Sequence, residues 1–479
     1  MTLPLHPRFH FMPISGWMND PNGLVVLAGE YHLFYQHYPY SVDWGPMHWG
    51  HAVSRDLIRW EHLPIALFPD DDGMIFSGSA VVDWHDTAGF GREALVAIYT
   101  CHREPGHHET QCLAYSLNQG REWHKYPGNP VLPNPGLRDF RDPKVFWWQN
   151  RWAMVLAAGR QVLFYHSTNM KNWTLSGKFA IQPNQPNSVW ETPDLFPLSI
   201  KETGETRWVL TLGVSDGGPA GGSASQYFIG HFDGQTFHPE TPPHSPLWLD
   251  DGPDCYAAQT WSDEPLGRRV LAAWLNNWRY ARQTPPLPAR GLLTLPRELS
   301  LIETAQGPRL AQKPISELAA FRETLFDQTN FTLRPGQNPL ADMRSTALDL
   351  EMDVIPTAPR FGLRLRIGKD EWTLLVVDFQ ARLLHLDRSR SGQVNFHPDF
   401  AAVHSVALPE FDEVLRLRIV LDTTSIEVFA ADGQVALTEL IFPSPESDGL
   451  ELFTESGNLL IQTLRLHRLA LPSLTESRP

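Results

Sequence analysis

The feature that most constrains the fold of this chain is a loose repeat in its first 300 residues. A polar residue followed by a short apolar hairpin occurs five times, at intervals of about 50 to 65 residues, which is typical of four-stranded propeller blades with long loops. The five polar residues are Asp20, Ser77, Asp142, Glu191 and Asp254. If each one opens an inner strand, all five point to one end of a central channel. The repeat therefore predicts a five-bladed β-propeller, and it leaves open five unrelated hairpins in a sandwich.

Short apolar or alternating runs make up most of the chain, and long helical periodicity is almost absent. Runs of this kind, bounded by Gly, Pro, Asp and Asn, are typical of strands and hairpins. Examples are Tyr31–Tyr38, Ala94–Thr100, Lys144–Ala158, Arg207–Val214 and Arg268–Leu275. The sequence therefore predicts an all-β protein, with the propeller over residues 1–305.

The pattern changes near residue 306. The stretch GPRLAQKPISELAAFR (Gly307–Arg322) is flanked by Pro and contains ISELAAF, the best short-helix candidate in the chain. We predict a linker with a short helix over residues 306–325.

Beyond the linker the alternation becomes sharper. Phe361–Ile367 and Val414–Leu421 alternate apolar residues with Arg, which is typical of a sheet with one solvent-facing side. Ser425–Phe442 is interpreted as two strands joined by a turn at Asp432-Gly433. Residues 326–479 are therefore predicted to form a C-terminal β-sandwich.

The charge balance argues against two classes of partner. The net charge is −15, and no run of Lys or Arg supplies the basic patch that nucleic-acid binding needs. The same balance disfavours an anionic membrane surface, and no apolar run approaches the length of a membrane span. The sequence thus predicts neither a nucleic-acid nor a membrane partner.

Cysteine content and the first residues bear on the compartment. Three Cys are too few, and odd in number, for a disulfide scaffold. The opening MTLPLHPRFHFMP lacks the basic and apolar regions of a signal peptide. Both observations favour a cytoplasmic protein, although a chain renumbered after processing would look the same.

Three short stretches place a carboxylate next to a Pro or one residue from it, at the start of an apolar strand. GWMNDPNG holds Asp20, DFRDPKVFW holds Arg141 and Asp142, and WETPDLF holds Glu191. Each alone is explained by a turn that opens a strand. Together they match the needs of glycoside hydrolysis, in which one carboxyl protonates the leaving oxygen and another attacks the anomeric carbon or activates water. A third carboxylate can hold sugar hydroxyls, and Arg141 is expected to keep its neighbour Asp142 ionised.

These stretches, in this order, resemble the signature of glycoside hydrolase family 32, the β-fructosidases that include invertases, levanases and exo-inulinases. Further stretches that resemble the family are Phe76–Gly91, Gln111–Leu132, Cys255–Trp261, Asn276–Pro285, Thr294–Leu299 and Ser425–Gly433. The resemblance implies a five-bladed propeller with a C-terminal β-sandwich and a retaining mechanism without metal or other cofactor. It implies that Asp20 is the nucleophile, Glu191 the acid and then the base, and Asp142 the group that stabilises the transition state.

The resemblance also implies a fructose pocket. Asn19 and Gln36 would hydrogen-bond sugar hydroxyls, and Ser77 and Arg141 would add polar contacts. The predicted apolar walls are Trp44, Phe76 and Trp278, with propeller packing as the alternative for the two Trp side chains. Asp254 is predicted either to bind sugar or to cap a strand. The 17 Trp residues agree with sugar stacking, but they equally fill β cores.

One motif departs from the family pattern, and one cluster suggests other chemistry. The family's Glu-Cys-Pro reads Glu191-Thr192-Pro193 here, which is expected to affect the pH optimum without removing the carboxylate. The stretch CHREPGHHETQC (Cys101–Cys112) holds two Cys and three His, but its spacing matches no common zinc pattern. We therefore predict no metal.

The function implied by the resemblance is exo-acting hydrolysis of terminal β-fructosyl residues of sucrose, fructo-oligosaccharides and fructans, with a β-fructoside as the partner. A fructosyltransferase would use the same nucleophile and acid, and a fructan-binding protein without activity would use the same pocket. An arabinan-cleaving propeller enzyme fits less well, since such pockets need not carry this nucleophile motif. Linkage preference and chain length are not visible in the sequence, and a homo-oligomer remains open.

Overall fold

The computed structural model describes residues 6–181, 188–240, 246–285 and 288–471. The first five residues of the predicted propeller and the last eight of the predicted sandwich lie outside these ranges. Nearly all regular structure in the described ranges is β, which confirms the all-β prediction. Among the described residues, no helix has the length and apolar character that a membrane span requires.

Five antiparallel sheets follow one another along the N-terminal part of the chain. The first contains β1 (Gly16–Leu27), β2 (Glu30–Tyr38), β3 (His48–Ser54) and β4 (Glu61–Leu67). The second contains β5 (Met74–Asp83), β6 (Ala94–Arg103), β7 (His108–Ser116) and β8 (His124–Lys125). The third contains β9 (Phe140–Trp148), β10 (Arg151–Ala158), β11 (Gln161–Ser167) and β12 (Thr174–Ala180). The fourth contains β13 (Trp190–Ser199), β14 (Thr206–Val214), β15 (Ala224–Phe232), β16 (Phe237–Pro239) and β17 (Leu247–Trp248). The chain then forms β18 (Tyr256–Thr260), β19 (Arg269–Trp274), β20 (Ala289–Arg290), β21 (Arg297–Ile302) and β22 (Arg309–Pro314), of which all but β20 build the fifth sheet.

The first strands of the five sheets form a closed ring. Each of β1, β5, β9 and β13 contacts the first strand of the next sheet, and β18 contacts β1. Late in the chain β20 pairs in parallel with β1, with Gly16 opposite Ala289 and Trp17 opposite Arg290. This late strand fastens the end of the ring to its beginning. The predicted five-bladed propeller is confirmed.

Every inner strand carries an irregularity at the same level of the ring. The pairing register shifts between Met18 and Pro21, Ile75 and Gly78, Arg141 and Lys144, Glu191 and Asp194, and Tyr256 and Gln259. A β-bulge adds one residue to a strand, bends it and redirects the side chains beside it. Four of the shifts include a polar position of the repeat (Asp20, Ser77, Asp142 and Glu191), so these side chains leave the regular alternation of their strands. The fifth shift follows Asp254, which precedes β18.

The predicted linker, residues 306–325, differs from the structure at both ends. Its start is β22, whose backbone pairs with β21 as the outer strand of the fifth blade. Its end is the beginning of the next strand, at Arg322. The connection between the domains is therefore the 3₁₀ helix Ser316–Phe321, where the sequence predicts a short helix. Leu318 and Phe321 of this helix are buried.

Two sheets form the C-terminal domain. The strands, in chain order, are β23 (Arg322–Leu333), β24 (Leu348–Ile355), β25 (Arg360–Ile367), β26 (Thr373–Asp378), β27 (Leu383–Asp387), β28 (Val403–Ala407), β29 (Leu415–Leu421), β30 (Ser425–Ala430), β31 (Val435–Leu440), β32 (Gly449–Ser456) and β33 (Leu459–Leu469). One sheet has the order β23-β33-β24-β29-β30-β31 and the other β28-β27-β26-β25-β32. Leu, Ile, Val and Phe side chains from both sheets share one buried core, which confirms the predicted sandwich.

One side chain of the sandwich departs from the predicted wet face. Arg366 belongs to the alternating run Phe361–Ile367 but is buried, with φ at 52° and a register shift between Arg364 and Ile367. The bulge turns its guanidinium inward, where it donates to the carbonyl oxygens of Ser447 at 2.6 Å and Thr423 at 2.8 Å. The other Arg of the run, Arg364, remains partly exposed as predicted.

Buried charges join the two domains. Arg297 of the propeller contacts Glu427 of the sandwich at 2.5 Å, and neither side chain is exposed. Near the start of the chain, His10 contacts Asp422 and Glu427, each at 2.9 Å. The backbone N–H groups of Arg8 and Phe9 also donate to the Asp422 carboxylate. Although burial opposes it, hydrogen bonds to the two carboxylates raise the pKa of His10 to about 9.

Candidate active site

A pocket of about 830 Å³ lies over the level of the bulges. Ten of the predicted site residues line it: Asn19, Asp20, Gln36, Trp44, Phe76, Ser77, Arg141, Asp142, Glu191 and Trp278. They come from several blades, so the ring of inner strands brings together residues that are far apart in sequence.

Asp20 is held by two neutral donors. Ser77 Oγ donates to Oδ2 at 2.6 Å, and Asn19 Nδ2 donates to Oδ1 at 3.0 Å. Trp17 Nε1 donates in turn to Asn19 Oδ1 at 2.8 Å, which fixes the orientation of that amide. Burial raises the pKa of Asp20 from 3.8 to about 6, the two donors oppose the rise, and the charge of Glu191 adds to it. The carboxylate is therefore oriented by neutral groups, and no Lys, Arg or His among the described residues forms a direct ion pair with it.

Asp142 lies deeper in the pocket, at a bulged position with φ at 64°. Its Oδ2 accepts the backbone N–H of Thr192 at 2.9 Å, and its own N–H donates to Thr100 Oγ1 at 3.0 Å. Burial raises the pKa of Asp142 well above its usual range, while the charge of Arg141 opposes the rise. The following blade thus holds the Asp142 carboxyl through Thr192, and the preceding blade holds the Asp142 backbone through Thr100.

Arg141, which was expected to keep its neighbour Asp142 ionised, has its direct hydrogen bonds with other carboxylates. Within the described residues its guanidinium donates to Glu191 at 2.8 Å and to Glu109 and Asp139, each at 2.9 Å, and not to Asp142. The bulge between Arg141 and Lys144 separates the directions of the two neighbouring side chains. Arg141 therefore positions the predicted acid rather than the predicted stabilising group.

Glu191 has a different partner on each carboxylate oxygen. Oε1 accepts from Arg141, and Oε2 accepts the hydroxyl proton of Tyr256. Burial, and the negative charge of Glu191 next to it, raise the pKa of the Tyr256 hydroxyl well above its usual range. Tyr256 thus remains a neutral donor, and the Glu191 carboxyl is held in one orientation.

The walls of the pocket combine one amide with aromatic rings. Gln36 Nε2 donates to Asn22 Oδ1 at 2.9 Å and to the Ile75 carbonyl at 3.0 Å, which leaves the Gln36 carbonyl oxygen as acceptor for a ligand hydroxyl. Trp278 stacks on Trp17 with 5.9 Å between ring centroids. Trp44 meets Phe76 edge to face at 6.3 Å, and Phe76 stacks on His102 at 4.2 Å. Flat apolar faces beside fixed polar groups suit a sugar ring.

Asp254 lies outside this pocket, which corrects its prediction as a substrate-binding residue. It is fully buried between the domains, where its Oδ2 accepts from Arg388 Nη1 at 2.6 Å and from the Leu440 N–H at 2.8 Å. Tyr280 donates to its other oxygen. These partners come from both domains, so the fifth polar residue of the repeat serves the domain interface.

Tyr256 and Glu109 contact the predicted site residues but were not themselves predicted from the sequence. Tyr256 lies in the Cys255–Trp261 stretch, whose likeness to the family was the available signal. Glu109 lies in the stretch Cys101–Cys112, which was considered only for metal binding. Its carboxylate reaches Arg141 because the hairpin of β6 and β7 borders the pocket.

The family assignment rests on both domains. Residues 10–314 match the family model "Glycosyl hydrolases family 32 N-terminal domain", and residues 317–468 match "Glycosyl hydrolases family 32 C terminal". The chain belongs to glycosyl hydrolase family 32. This confirms the resemblance found in the sequence, and the boundary between the two matches falls at the 3₁₀ helix of the family 32 chain.

Individual relatives agree over nearly the whole family 32 chain. It is 46% identical over 476 residues to a levanase of Bacillus subtilis (strain 168), covering 97% of this chain and 70% of the levanase. It is 37% identical to an extracellular exo-inulinase of Aspergillus niger, covering 95% and 92% of the two chains.

Solved structures give the same agreement in three dimensions. The crystal structure of exo-inulinase from Aspergillus awamori aligns with a TM-score of 0.92 at 34% identity, over 98% of this chain and 99% of that one. The structure of fructofuranosidase from Schwanniomyces occidentalis complexed with fructose aligns with a TM-score of 0.89 at 30% identity, over 97% and 98%.

Proposed function

We propose that this chain is a retaining exo-β-fructosidase, which hydrolyses terminal non-reducing β-fructosyl residues of fructans, fructo-oligosaccharides and sucrose and releases fructose. The observation that carries the proposal is the meeting of Asp20, Asp142 and Glu191 in one pocket of a family 32 propeller. The names of the relatives, levanase and exo-inulinase, support fructans as substrates and attack at the chain end.

In the first step the Asp20 carboxylate attacks C2 of the terminal fructosyl residue, and the bond from C2 to the leaving oxygen breaks. Glu191 gives its proton to that oxygen, so the leaving sugar departs as an alcohol. The products are a fructosyl ester on Asp20 and an ionised Glu191. Ser77 and Asn19 stabilise the negative charge of Asp20 by hydrogen bonds before the attack. That charge disappears as the electron pair of the carboxylate forms the new bond to C2.

In the second step Glu191 takes a proton from water, and the resulting hydroxide attacks C2. The bond between C2 and the Asp20 oxygen breaks, which returns Asp20 to the carboxylate and Glu191 to the acid. Because Arg141 faces Oε1 with a permanent charge, we assign the exchangeable proton to Oε2. Asp142 holds fructose hydroxyls while C2 is oxocarbenium-like.

Chromatography of the products from sucrose, 1-kestose, inulin and levan, without added metal, tests the proposal. Fructose released one unit at a time is expected, with relative rates that give linkage and length preference. Longer oligosaccharides from sucrose would show a transferase instead. No product from any of the four substrates would refute the β-fructosidase assignment.

Two variants separate catalysis from binding. Asp20→Ala is expected to abolish hydrolysis but retain binding of 1-kestose in calorimetry. Glu191→Gln is expected to lower the rate by about 10² to 10⁴-fold. Glu122→Gln, an exposed carboxylate outside the pocket, is the matched control and retains the wild-type rate. Full activity of the Asp20→Ala variant would contradict its role as nucleophile.

A further inference from the structure

Three potential metal ligands converge at the tip of the hairpin formed by β6 and β7. His102 Nε2 lies 3.2 Å from Glu104 Oε1, and His107 Nδ1 lies 2.9 Å from the same oxygen. One ligand atom from each of the three residues falls within 4.8 Å of the other two. Separations of this size between nitrogen and oxygen atoms suit a single small cation with bonds of about 2.0 to 2.2 Å.

The other ring nitrogen of His102, Nδ1, contacts the carboxylate of Glu109. His102 Nδ1 lies 3.3 Å from Oε1 of Glu109, which is 2% exposed and also accepts from Arg141. The other oxygen of Glu109 is buried without a hydrogen-bond partner among the described residues. Because a carboxylate oxygen can only accept, the neutral His102 ring is expected to carry its proton on Nδ1, the nitrogen that faces Glu109 Oε1.

That tautomer leaves the lone pair of His102 Nε2 directed at the Glu104 carboxylate. Two acceptors that face each other at 3.2 Å require a proton or a metal ion between them, and the His107 nitrogen at 2.9 Å from the same Glu104 oxygen supplies the further ligand that a metal ion needs. A histidine ligand whose other nitrogen donates to a carboxylate is the usual arrangement around protein-bound zinc. The backbone N–H of Gly106 donates to the second oxygen of Glu104 at 3.2 Å, which holds that side chain against the hairpin tip.

We propose that His102, Glu104 and His107 bind one zinc ion, with water in the remaining coordination position. Two imidazole nitrogens and one carboxylate form a ligand set that suits zinc, whereas calcium and magnesium prefer oxygen ligands alone. The spacing His-x-Glu-x-x-His in a turn matches no common sequence pattern, so the sequence analysis predicted no metal. The strand pairing of the hairpin brings the three side chains together.

The position of this zinc site links it to the pocket. All three ligands line the pocket rim, and the His102 ring stacks on Phe76, a predicted wall of the fructose site. Bound zinc would narrow the entrance, so Zn²⁺ is expected to inhibit hydrolysis and a chelator to restore it. This consequence for activity rests on the proposed function, but zinc binding itself does not.

Titration of the full-length protein with Zn²⁺, in competition with a chromogenic zinc indicator, tests the site. One equivalent is expected to bind, and His107→Ala is expected to weaken binding at least about ten-fold. His108→Ala, an exposed histidine in the same hairpin outside the cluster, is the matched control and retains wild-type affinity. The proposal would be overturned if the wild type failed to compete with the indicator for Zn²⁺, or if both variants lost zinc affinity equally.

Cobalt substitution identifies the ligands without reference to activity. Co²⁺ is expected to give visible absorption bands of a four-coordinate site in the wild type, and to lose them in His107→Ala. Glu109→Gln is expected to weaken Zn²⁺ binding about 10 to 100-fold if Glu109 orients His102. Thermal unfolding of each variant verifies the fold. Bands that persist in His107→Ala would refute the assignment of this ligand.

Discussion

Arg388 of the sandwich donates to Asp254 of the propeller over 2.6 Å, and neither side chain has any solvent exposure. Arg388 also donates to the Tyr280 hydroxyl at 2.9 Å, and that hydroxyl donates to the second oxygen of Asp254. The three groups form a closed set across the domain boundary. Asp254 therefore stabilises the contact between the two domains and does not bind substrate.

Asp254→Ala is therefore expected to lower the free energy of unfolding by about 3 to 5 kcal/mol, because it removes the carboxylate nearest to the buried Arg388 charge and leaves only Glu439, 3.8 Å away, to face it. Urea denaturation measures the loss. Glu323→Ala, which removes an exposed pair with Arg468, is the control and is expected to cost no more than about 1 kcal/mol. Equal stability of the two variants, with a raised KM in Asp254→Ala alone, would restore Asp254 to the substrate site.

Arg141→Lys is expected to lower kcat by about 10²-fold while the protein stays folded. A single ammonium cannot reproduce the planar fork that contacts Glu109, Asp139 and Glu191 together. Steady-state kinetics on 1-kestose measure the effect. The control is Arg121→Lys, a surface pair with Glu30, and unchanged kcat in Arg141→Lys would show that Glu191 needs no such support.

Ser77→Ala is expected to move the acid limb of the kcat/KM profile to higher pH. The Ser77 hydroxyl stabilises the charged form of Asp20, so its removal raises the pKa of that carboxyl above about 6. The rate should fall more at pH 5 than at pH 7.5. Ser79→Ala, on the same strand but bonded to Pro143, should leave the limb in place, and a parallel shift in both variants would contradict this account.

Asp20→Asn is expected to stabilise the protein at neutral pH. The folded-state pKa of about 6 lies above the ordinary 3.8, so the stability contributed by the protonated group is complete below pH 3.8 and lost as pH rises through 6. A neutral amide avoids this loss, so the free energy of unfolding of Asp20→Asn at pH 7.5 should exceed that of the wild type by on the order of 1 to 3 kcal/mol. Urea denaturation at pH 7.5 and pH 3.5 measures it, and a gain of equal size at both would exclude the titration of Asp20 as the cause.

Thr192→Cys is expected to raise the free energy of unfolding by about 1 kcal/mol. Thr192 is buried with φ at 47°, and its Oγ1 makes no hydrogen bond within the described part of the chain. A thiol removes both the branched Cβ and the unsatisfied hydroxyl. Thr192→Ser removes only the branch and should gain less, so a Ser variant more stable than the Cys variant would contradict the explanation. Thermal and urea unfolding compare the three proteins.

The sequence was sufficient for the strands and for the three carboxylates, because both leave local signals. The runs Tyr31–Tyr38 and Arg207–Val214, for example, have the length and apolar content of strands. The three carboxylates each lie in a motif only a few residues long. The interval of the repeat predicts one inner strand for each blade. Because the carboxylates lie at the same end of these strands, the repeat also predicts that they share one pocket.

The remaining features depend on partners that no local pattern reveals. The sequence left Asp254 open between sugar binding and a strand cap, because its partner Arg388 lies 134 residues later, in the other domain. The direction of Arg141 depends on a bulge, and one additional residue in a strand has no reliable sequence signature. Arg366 illustrates the same limit, since a regular alternation predicts an exposed side chain and the bulge turns it inward.

The anchor of His10 has a consequence for how the chain is made. Asp422, which binds the backbone and ring of His10, follows it by 412 residues. At a synthesis rate of about 5 to 20 residues per second, the ribosome delivers Asp422 on the order of 20 to 80 seconds after His10. Residues Arg8 to His10 therefore wait at the surface of a nascent propeller until almost the last strands emerge.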